Sequence, residues 1–438
     1  MKAARVLFCL ATLVAPALAL TAPARPAVAQ SRPCRAEAAV CRDLARIAAR
    51  ADVRAAMTWI ERNDATAIRD LTTLTQIPAP PFTETERGKA YAQMLRAAGA
   101  DSVWTDSVGN VIALVRGARG GRTVALGGHL DTVFPQGTDV TVKARGDTLF
   151  APGIADDTRG IVGMLQVLRA MRDAKLRPDA DLLFIGTVGE EGLGDLRGVK
   201  HLFRDGGPRI DTFIAVDGAE DIDITHMALG SRRYRVTFKG PGGHSWGAFG
   251  RANPMHALGR AVYLFDEAAR NFTATGPRTS YNVGRTGGGT SVNSIPFEAW
   301  VEVDMRSESQ QRLMQIDSLF RSTVQRALTE YNLMPHDGED LTVDVQLVGD
   351  RPSGEVAQRA PIVQRAVAVT QHLGNEPTLD RSSTDANVPI ARGIPAITIG
   401  AGGVSANSHA LNEWWLNRDG PRGIQRILLI TLLEAGLR

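Results

Sequence analysis

Four short runs of branched apolar residues in this 438-residue chain each lead into a segment that contains glycine and an acidic residue or a histidine. The runs are 124–126, 182–185, 213–216 and 396–399. Such runs are typical of strands that are buried on both faces of a parallel sheet. Ligands of an open parallel sheet bind beyond the carboxyl ends of its strands. The chain is therefore predicted to gather several polar side chains at one edge of one sheet.

The side chains expected at that edge are of types that bind metal ions or transfer protons. They are His129, Asp131, Asp156, Asp157, Glu190, Glu191, Asp217 and His409. Each acid taken alone is most simply a helix cap or a solvated loop residue, and a single histidine is more often structural. Their joint arrangement after several separate strands favours a functional site.

The remaining pattern divides the chain into two kinds of structure. Strands and helices alternate from about residue 100 to 225 and again after 351, which is the α/β pattern. Between them, half-exposed strands and two amphipathic helices follow the order β-α-β-β-α-β of a ferredoxin-like unit. We predict an α/β catalytic domain with a mostly parallel sheet over residues 30–227 and 351–438. An inserted α+β domain would occupy residues 228–350, and two domains suit this length.

The first 29 residues are typical of a secretory signal peptide. Lys2 and Arg5 precede the apolar run 6–20, and small residues at 27–29 offer a cleavage site. The run is short for a membrane span, although a retained anchor is the alternative. We therefore expect an exported protein, periplasmic or secreted, with no membrane association after cleavage.

Removal of this segment also removes the apparent basicity of the chain. It takes away three of the 50 basic residues and none of the 47 acidic residues, so the mature chain has no formal net charge. Nothing in this balance indicates a nucleic acid or an anionic membrane as a partner.

Two cysteines, Cys34 and Cys41, remain after cleavage. An exported protein favours a disulfide between them. Two cysteines seven residues apart on one helix would be too distant to bond, so the pairing requires Cys34 to lie before the helix that Cys41 enters. The sequence leaves this point open.

Four segments, in order, resemble the motifs of the M20 metallopeptidases. They are Gly-His-Leu-Asp-Thr-Val at 128–133, Ala-Pro-Gly-Ile-Ala-Asp-Asp at 151–157, Gly-Glu-Glu-Gly at 189–192 and Ser-His-Ala-Leu-Asn-Glu at 408–413. The resemblance covers nearly the whole mature chain, including the inserted domain. It implies a zinc-peptidase fold and a hydrolase that acts on amide bonds of short peptides or N-acyl amino acids.

The resemblance also implies a metal centre. Asp156 would bridge two zinc ions, with His129 and Asp217 completing one site and Glu191 and His409 the other. Two metals that share a carboxylate lie roughly 3.5–4 Å apart and can hold a hydroxide between them. Oxygen-rich sites of this kind also accept cobalt or manganese.

Two neighbouring acids take other roles in the resemblance. Asp131 would orient the ring of His129 through a hydrogen bond. Glu190 would be the general base, which takes a proton from water and passes it to the leaving amine.

Three further residues match positions of the family outside the metal centre. His244, within Gly-Pro-Gly-Gly-His-Ser-Trp-Gly at 240–247, matches a histidine that stabilises an oxyanion, usually in the partner subunit's site. The resemblance thus implies a homodimer formed through the inserted domain. Asn293, within 288–296, matches a substrate-binding residue. Arg351 resembles an arginine that anchors a substrate carboxylate, and an interdomain ion pair is an equal alternative.

The type of peptidase is indicated by Asp217. In the family an aspartate at this position accompanies aminopeptidases and dipeptidases, whereas a glutamate accompanies carboxypeptidases and acylases. The run 189–198 also resembles the aminotripeptidase branch. We therefore favour an aminopeptidase or dipeptidase, with an N-acyl amino acid hydrolase or carboxypeptidase as the alternative.

Two rival classes deserve comparison with this interpretation. A serine hydrolase could use Ser245 in the G-x-S-x-G match at 243–247, with Asp385 and His409 in the required order. Glycine and proline on both sides of that segment do not suit the required strand–turn–helix context. A binding protein without activity is the other rival, and it is disfavoured because every ligand position and Glu190 are filled.

Overall fold

The computed structural model describes residues 34–437, so the predicted signal peptide lies outside the described residues. The helices are α1 (Ala38–Ala48), α2 (Ala51–Arg62), α3 (Asp64–Thr75), α4 (Thr85–Ala97), α5 (Thr158–Asp173), α6 (Arg197–Leu202), α7 (Pro254–Thr273), α8 (Gln310–Asn332), α9 (Pro361–His372), α10 (Asn387–Ala391) and α11 (Gly420–Ala435). The strands are β1 (Ser102–Thr105), β2 (Val111–Val115), β3 (Thr123–His129), β4 (Lys143–Arg145), β5 (Thr148–Phe150), β6 (Asp181–Thr187), β7 (Thr212–Val216), β8 (Asp223–Ala228), β9 (Gly230–Lys239), β10 (Gly243–His244), β11 (Thr279–Gly288), β12 (Ser294–Ile295), β13 (Glu298–Ser307), β14 (Thr342–Arg351), β15 (Gly354–Glu355), β16 (Thr378–Ser382), β17 (Ala396–Ile399), β18 (Val404–Ala406) and β19 (Trp414–Leu416). None of the helices among these residues is long and apolar enough to cross a membrane.

The N-terminal helices are tied to the preceding chain by a disulfide. Cys34 and Cys41 are bonded, with their Cα atoms 6.1 Å apart. Cys34 precedes α1, which begins at Ala38, so the two cysteines do not share one helix. The pairing that the sequence left open is therefore present in the structure.

The large sheet is mainly parallel at its centre, which confirms the predicted α/β class. Its order is β1-β2-β6-β3-β7-β17-β8-β15, and β16 also pairs with β8. Strand β3 runs parallel to β6 and β7, and β17 runs parallel to β7. In β3, Val124 and Leu126 pack in one hydrophobic cluster, whereas Ala125 packs in another. Burial on both faces is the reason why these strands are continuous apolar runs.

A second sheet has its own hydrophobic core. Its four antiparallel strands have the order β11-β13-β9-β14, and α7 and α8 pack against it. Along the chain these elements follow β-α-β-β-α-β, the order that the sequence indicates. The lid or dimerisation role of this unit and the boundaries 228–350 stay predictions.

The chain leaves and re-enters the large sheet at neighbouring positions. Ala228, the last residue of β8, pairs with Gly354 of β15. The second sheet and its helices lie between these two residues in sequence. The polypeptide before and after this insertion is therefore continuous within one sheet.

Candidate metal centre

The predicted metal ligands converge at the carboxyl end of the parallel strands. His129 is the last residue of β3, and Asp217 directly follows β7. Glu191 follows β6 after a short turn, and Asp156 lies just before α5. His409 comes from the loop between β18 and β19. Five separate segments thus supply one site, as the rule for open parallel sheets requires.

Asp156 lies at the centre of this cluster and uses its two oxygens in two directions. Its Oδ1 is 3.0 Å from His129 Nε2, and its Oδ2 is 3.1 Å from His409 Nε2. His409 Nε2 is also 2.9 Å from Glu191 Oε1, and His129 Nε2 is 3.9 Å from Asp217 Oδ1. The cluster therefore consists of two halves joined by one carboxylate.

The donor set fits divalent metal ions. His129, Asp156 and Asp217 form one group of ligand atoms within 4.8 Å of one another, and Asp156, Glu191 and His409 form another. Imidazole nitrogen with carboxylate oxygen is a donor set that zinc accepts. Each group provides three protein ligands, which would leave a coordination position for water or substrate.

The electrostatics of the cluster also favour added positive charge. Burial raises the pKa of Asp217 to about 7, and the charges of Asp156 and Glu191 act in the same direction. Hydrogen bonds that His409 donates to Asp156 and Glu191 raise the pKa of His409 to about 10. Burial opposes charge on His129, but the hydrogen bond to Asp156 and nearby carboxylates raise its pKa well above the usual value. In the absence of metal, these raised pKa values mean that Asp217, His129 and His409 tend to hold protons, and bound metal ions would take the place of those protons.

Asp131 acts differently from the sequence prediction. His129 Nδ1 is 2.9 Å from the backbone oxygen of Asp131, whereas the nearest Asp131 carboxylate oxygen is 3.9 Å away. The carboxylate instead accepts from the backbone N–H groups of Glu190 and Glu191, at 3.1 and 2.8 Å. The ring of His129 is thus oriented by the main chain of Asp131, while its side chain fixes the segment that carries the two glutamates. Burial raises the pKa of Asp131 to about 6.

Glu190, the predicted base, is paired with Arg351. Arg351 Nη1 donates to Glu190 Oε1 at 2.8 Å, and Nη2 donates to the backbone oxygen of Glu190. Burial raises the pKa of Glu190 well above its usual value, and the charge of Arg351 opposes that rise. Arg351 is itself buried, so in this structure its guanidinium holds the base and is not open to a substrate carboxylate.

His244 and Asn293 lie together but not within the metal cluster. His244 pairs with Ser294 across β10 and β12, and Ser245 N donates to the backbone oxygen of Asn293 at 2.9 Å. His244 Nδ1 is 3.2 Å from the backbone nitrogens of Trp246 and Gly247 and accepts their hydrogen bonds. In the neutral ring this places the proton on Nε2, which is then a donor. The side chain is exposed.

The serine hydrolase interpretation is wrong for this structure. His409 bonds to Glu191 and Asp156, and Asp385 accepts from the Thr187 hydroxyl. Ser245 follows a strand of only two residues, and the next helix, α7, begins nine residues later at Pro254. Neither the triad nor the strand–turn–helix context is present among the described residues.

Two buried carboxylates that the sequence did not assign hold the cluster in place. Asp157 accepts from the backbone N–H groups of His129 and Gly160, at 3.0 and 3.1 Å. A Cβ at Gly160 would lie 2.1 Å from Asp157 Oδ1, so glycine is needed for this approach. In the sequence, the position of Asp157 next to Asp156 is the feature that could have indicated this role.

Glu413 is the second of these carboxylates. Its oxygens accept from the backbone N–H groups of Gly153, Ala155 and Asp156, at 2.7, 2.9 and 3.1 Å. Burial raises the pKa of Glu413 to about 7, which these N–H groups counteract. Glu413 therefore fixes the segment that carries the shared ligand, from the same loop that carries His409.

These features define a metal-dependent hydrolase with an α/β catalytic sheet. The sequence profile of Peptidase family M20/M25/M40 matches residues 125–432, and the chain belongs to this family. A curated relative, a putative LysW-lysine/LysW-ornithine hydrolase of Pyrococcus abyssi, is 25% identical over 76% of this chain and 84% of its own length.

Solved structures share the fold at lower identity. A tripeptidase from Staphylococcus aureus is 20% identical, with a TM-score of 0.67 over 84% of this chain and 97% of its own. The di-peptidase Dug1p from Saccharomyces cerevisiae is 14% identical, with a TM-score of 0.69 over 87% and 98%. These likenesses support the fold that the sequence predicted.

Proposed function

We propose that this protein binds two zinc ions and hydrolyses an amide bond of a short peptide with a free N-terminus. The observation that carries the proposal is the orientation of Asp156, whose two oxygens face two separate ligand pairs. His129 and Asp217 would complete one site, and Glu191 and His409 the other. Cobalt or manganese could occupy the same donors.

The chemistry divides between the metal ions and the protein. When bound, the ions would supply Lewis-acid activation of water and of the substrate carbonyl. Glu190 would accept a proton from water at its carboxylate and deliver it to the leaving nitrogen. Burial raises the pKa of Glu190 and the charge of Arg351 lowers it. The balance of the two effects lets Glu190 both accept and release a proton.

Two observations support the aminopeptidase or dipeptidase type. The residue at position 217 is an aspartate, which accompanies these activities in the family. Two solved structures with this fold are described as a tripeptidase and a di-peptidase. An N-acyl amino acid hydrolase or carboxypeptidase is the alternative on the same site.

The proposal includes a homodimer and export. His244 is exposed, and its Nδ1 accepts two backbone hydrogen bonds, which leaves Nε2 as the donor in the neutral ring that would complete the site of a partner subunit. The pattern of residues 1–29 supports export to the periplasm or the medium. Mass spectrometry of the protein recovered outside the cytoplasm should find an N-terminus near residue 30, and an intact Met1 would contradict export.

A peptide panel tests the activity. Purified mature protein would be assayed on di- and tripeptides that are free, N-blocked or C-blocked, before and after chelation and zinc add-back. We expect chelator-sensitive hydrolysis that requires a free N-terminus and returns at about two zinc ions per chain. Cleavage of N-acyl amino acids would instead assign the acylase or carboxypeptidase type. Activity that survives complete metal removal would overturn the proposal.

A further inference from the structure

A small acidic pocket adjoins the metal centre. It has a volume of about 170 Å³, and its walls include the metal-centre residue Asp217 and three other acids, Glu220, Asp223 and Asp380. No Lys, Arg or His of the described chain lines it. The pocket is therefore a place of negative potential directly beside a predicted metal ligand.

The strand register explains why these side chains meet. Thr225 on β8 pairs with Asp380 on β16 and with Thr398 on β17. Directly paired residues project to the same face of a sheet. Asp223 lies two residues before Thr225 and thus also on that face. The end of β17 and the start of β8 place this group next to Asp217, which follows the neighbouring strand β7.

The three acids are not neutralised within the pocket. Burial raises the pKa of Asp223, and the charges of Glu220 and Asp380 add to the effect. The charge of Arg426 opposes this rise, and Arg426 is buried and donates to the backbone oxygen of Asp223 and to Thr370 Oγ1. Because Arg426 binds the main chain of β8, its charge only partly offsets the negative charge of the three acids. A cation inside the pocket would be attracted by all three acids.

The Thr225 hydroxyl is an independent sign of a missing ligand. Its residue is only 8% exposed and lines the pocket. No hydrogen bond joins this hydroxyl to any other residue of the described chain, although Thr384 and Thr398 beside it bond to each other at 2.7 Å. The hydroxyl opens onto the pocket, where a ligand can supply the partner that the protein does not.

The geometry favours an organic cation over a metal ion. Among the described residues, the sets of three acids or histidines with ligand atoms within 4.8 Å all belong to the catalytic cluster. Glu220, Asp223 and Asp380 do not form such a set. The three acids therefore do not converge on one point as metal ligands do, whereas two carboxylates and one hydroxyl match the three N–H donors of an ammonium group.

We propose that this pocket is a specificity subsite that binds an alkylammonium group of the substrate through Asp223, Asp380 and Thr225. The inference rests on the proposed function and identifies its substrate class. The ammonium could be the α-amine of the peptide or a basic side chain beside the scissile bond. The pocket volume is several times the roughly 30 Å³ that one water occupies, so an aminoalkyl chain fits.

Three substrates with the same carbon skeleton show whether the bound ammonium is the α-amine or a side-chain amine. Lysyl-alanine and norleucyl-alanine differ in the side-chain ammonium, and norleucyl-alanine and hexanoyl-alanine differ in the α-ammonium. The cationic member of one pair should be preferred in kcat/KM by about 10- to 100-fold. The pair that shows the preference identifies the source.

Variants then assign the preference to the pocket. In the double variant Asp223→Asn/Asp380→Asn the ratio should fall to near one, and Thr225→Val should lower it in part. Asp344→Asn, an exposed acid on β14, is the matched control and should leave both rates unchanged. Zinc content, measured in every variant, reports folding. A ratio that persists in the double variant, or no preference in wild type, overturns the inference while leaving the peptidase proposal intact.

Failure of the peptidase proposal is distinguishable from failure of the subsite. If none of the three peptides is cleaved, titration calorimetry with n-pentylammonium tests the pocket directly. Wild type should bind this probe, Asp223→Asn/Asp380→Asn should not, and 1-pentanol should not bind either. Binding of Ca²⁺ without binding of n-pentylammonium, or no binding of either, would reject the subsite.

Discussion

Arg351 Nη1 lies 2.8 Å from Glu190 Oε1 and joins the last residue of β14 to the group that would move the proton. Both side chains are buried, with 4% and 6% exposure of their residues. The removal of one member of a buried ion pair leaves the other uncompensated. The second sheet, which contains β14, is thus coupled directly to the ionisation of the predicted general base.

Replacement of Arg351 should shift the pH profile. Glu190 must be ionised to accept a proton, so kcat/KM rises as pH passes through its pKa. Arg351 lowers that pKa, and therefore Arg351→Met should raise it and move the acidic limb to higher pH. On the acid side, kcat/KM falls about tenfold for each unit of displacement. Arg351→Lys keeps the charge and should shift the limb less. An unchanged limb in Arg351→Met would contradict the coupling.

Metal stoichiometry should distinguish the shared ligand from the terminal ones. Asp156→Ala removes a ligand from both groups, so the purified variant should hold well under one ion per chain. His409→Ala and Asp217→Ala each affect one group and should retain about one ion. Elemental analysis after dialysis makes the comparison. Equal losses in all three variants would argue against two sites that share Asp156.

Glu413→Gln should weaken metal binding although Glu413 is not in either ligand group. The carboxylate accepts three backbone N–H bonds, and an amide NH₂ cannot accept any of them. Loss of such support typically lowers metal affinity 10- to 100-fold. Competition with a zinc-binding dye measures the change. Glu339→Gln, an exposed glutamate, is the control and should behave as wild type.

Mixed dimers should recover activity if His244 serves the partner subunit. His244→Ala should lower kcat by about 10²- to 10³-fold with metal content retained, as for loss of an oxyanion donor. Glu190→Gln should be inactive because it lacks the carboxylate that accepts the proton from water. After subunit exchange of the two variants, about a quarter of wild-type activity should appear, because half the dimers contain one complete site. No recovery would place His244 in its own subunit's site. His256→Ala, exposed on α7, is the control.

The disulfide should contribute stability and not activity. It closes an eight-residue loop that includes the first turn of α1, for which chain entropy predicts about 2.5 kcal/mol. Cys34→Ser/Cys41→Ser should therefore unfold at lower urea concentration with an unchanged kcat/KM for the folded protein. Reduction of wild type should reproduce the loss. Equal stability of the reduced and oxidised proteins would show that the loop is already ordered without the bond.

The sequence predicts the catalytic edge well because three of the ligands lie at the end of a strand or just before a helix, and the other two follow strands after short loops. Strands buried on both faces are recognisable as apolar runs, and their carboxyl ends must share one edge. That logic brings His129, Asp156 and Asp217 together without knowledge of the tertiary structure. The prediction of these ligands does not depend on side-chain contacts between distant segments.

The contacts that the sequence does not predict are those between atoms of distant residues. The polar strand β16 has no apolar pattern and was not foreseen. Glu413 lies 257 residues from Asp156 in the chain, and no local pattern indicates that its carboxylate holds that backbone. The choice between the carboxylate and the carbonyl of Asp131 depends on a difference of about 1 Å, which only packing decides.

The pairing of Ala228 with Gly354 has a consequence for the modular history of the chain. Partners across an antiparallel ladder have Cα atoms roughly 5 Å apart, a gap that a hairpin turn of a few residues can span. All five metal-centre residues lie outside the intervening segment. A shorter ancestor could thus have held the same ions with a simple turn at this point. Acquisition of the segment between Ala228 and Gly354 would then have added Arg351, the partner of Glu190, without any cut in the large sheet.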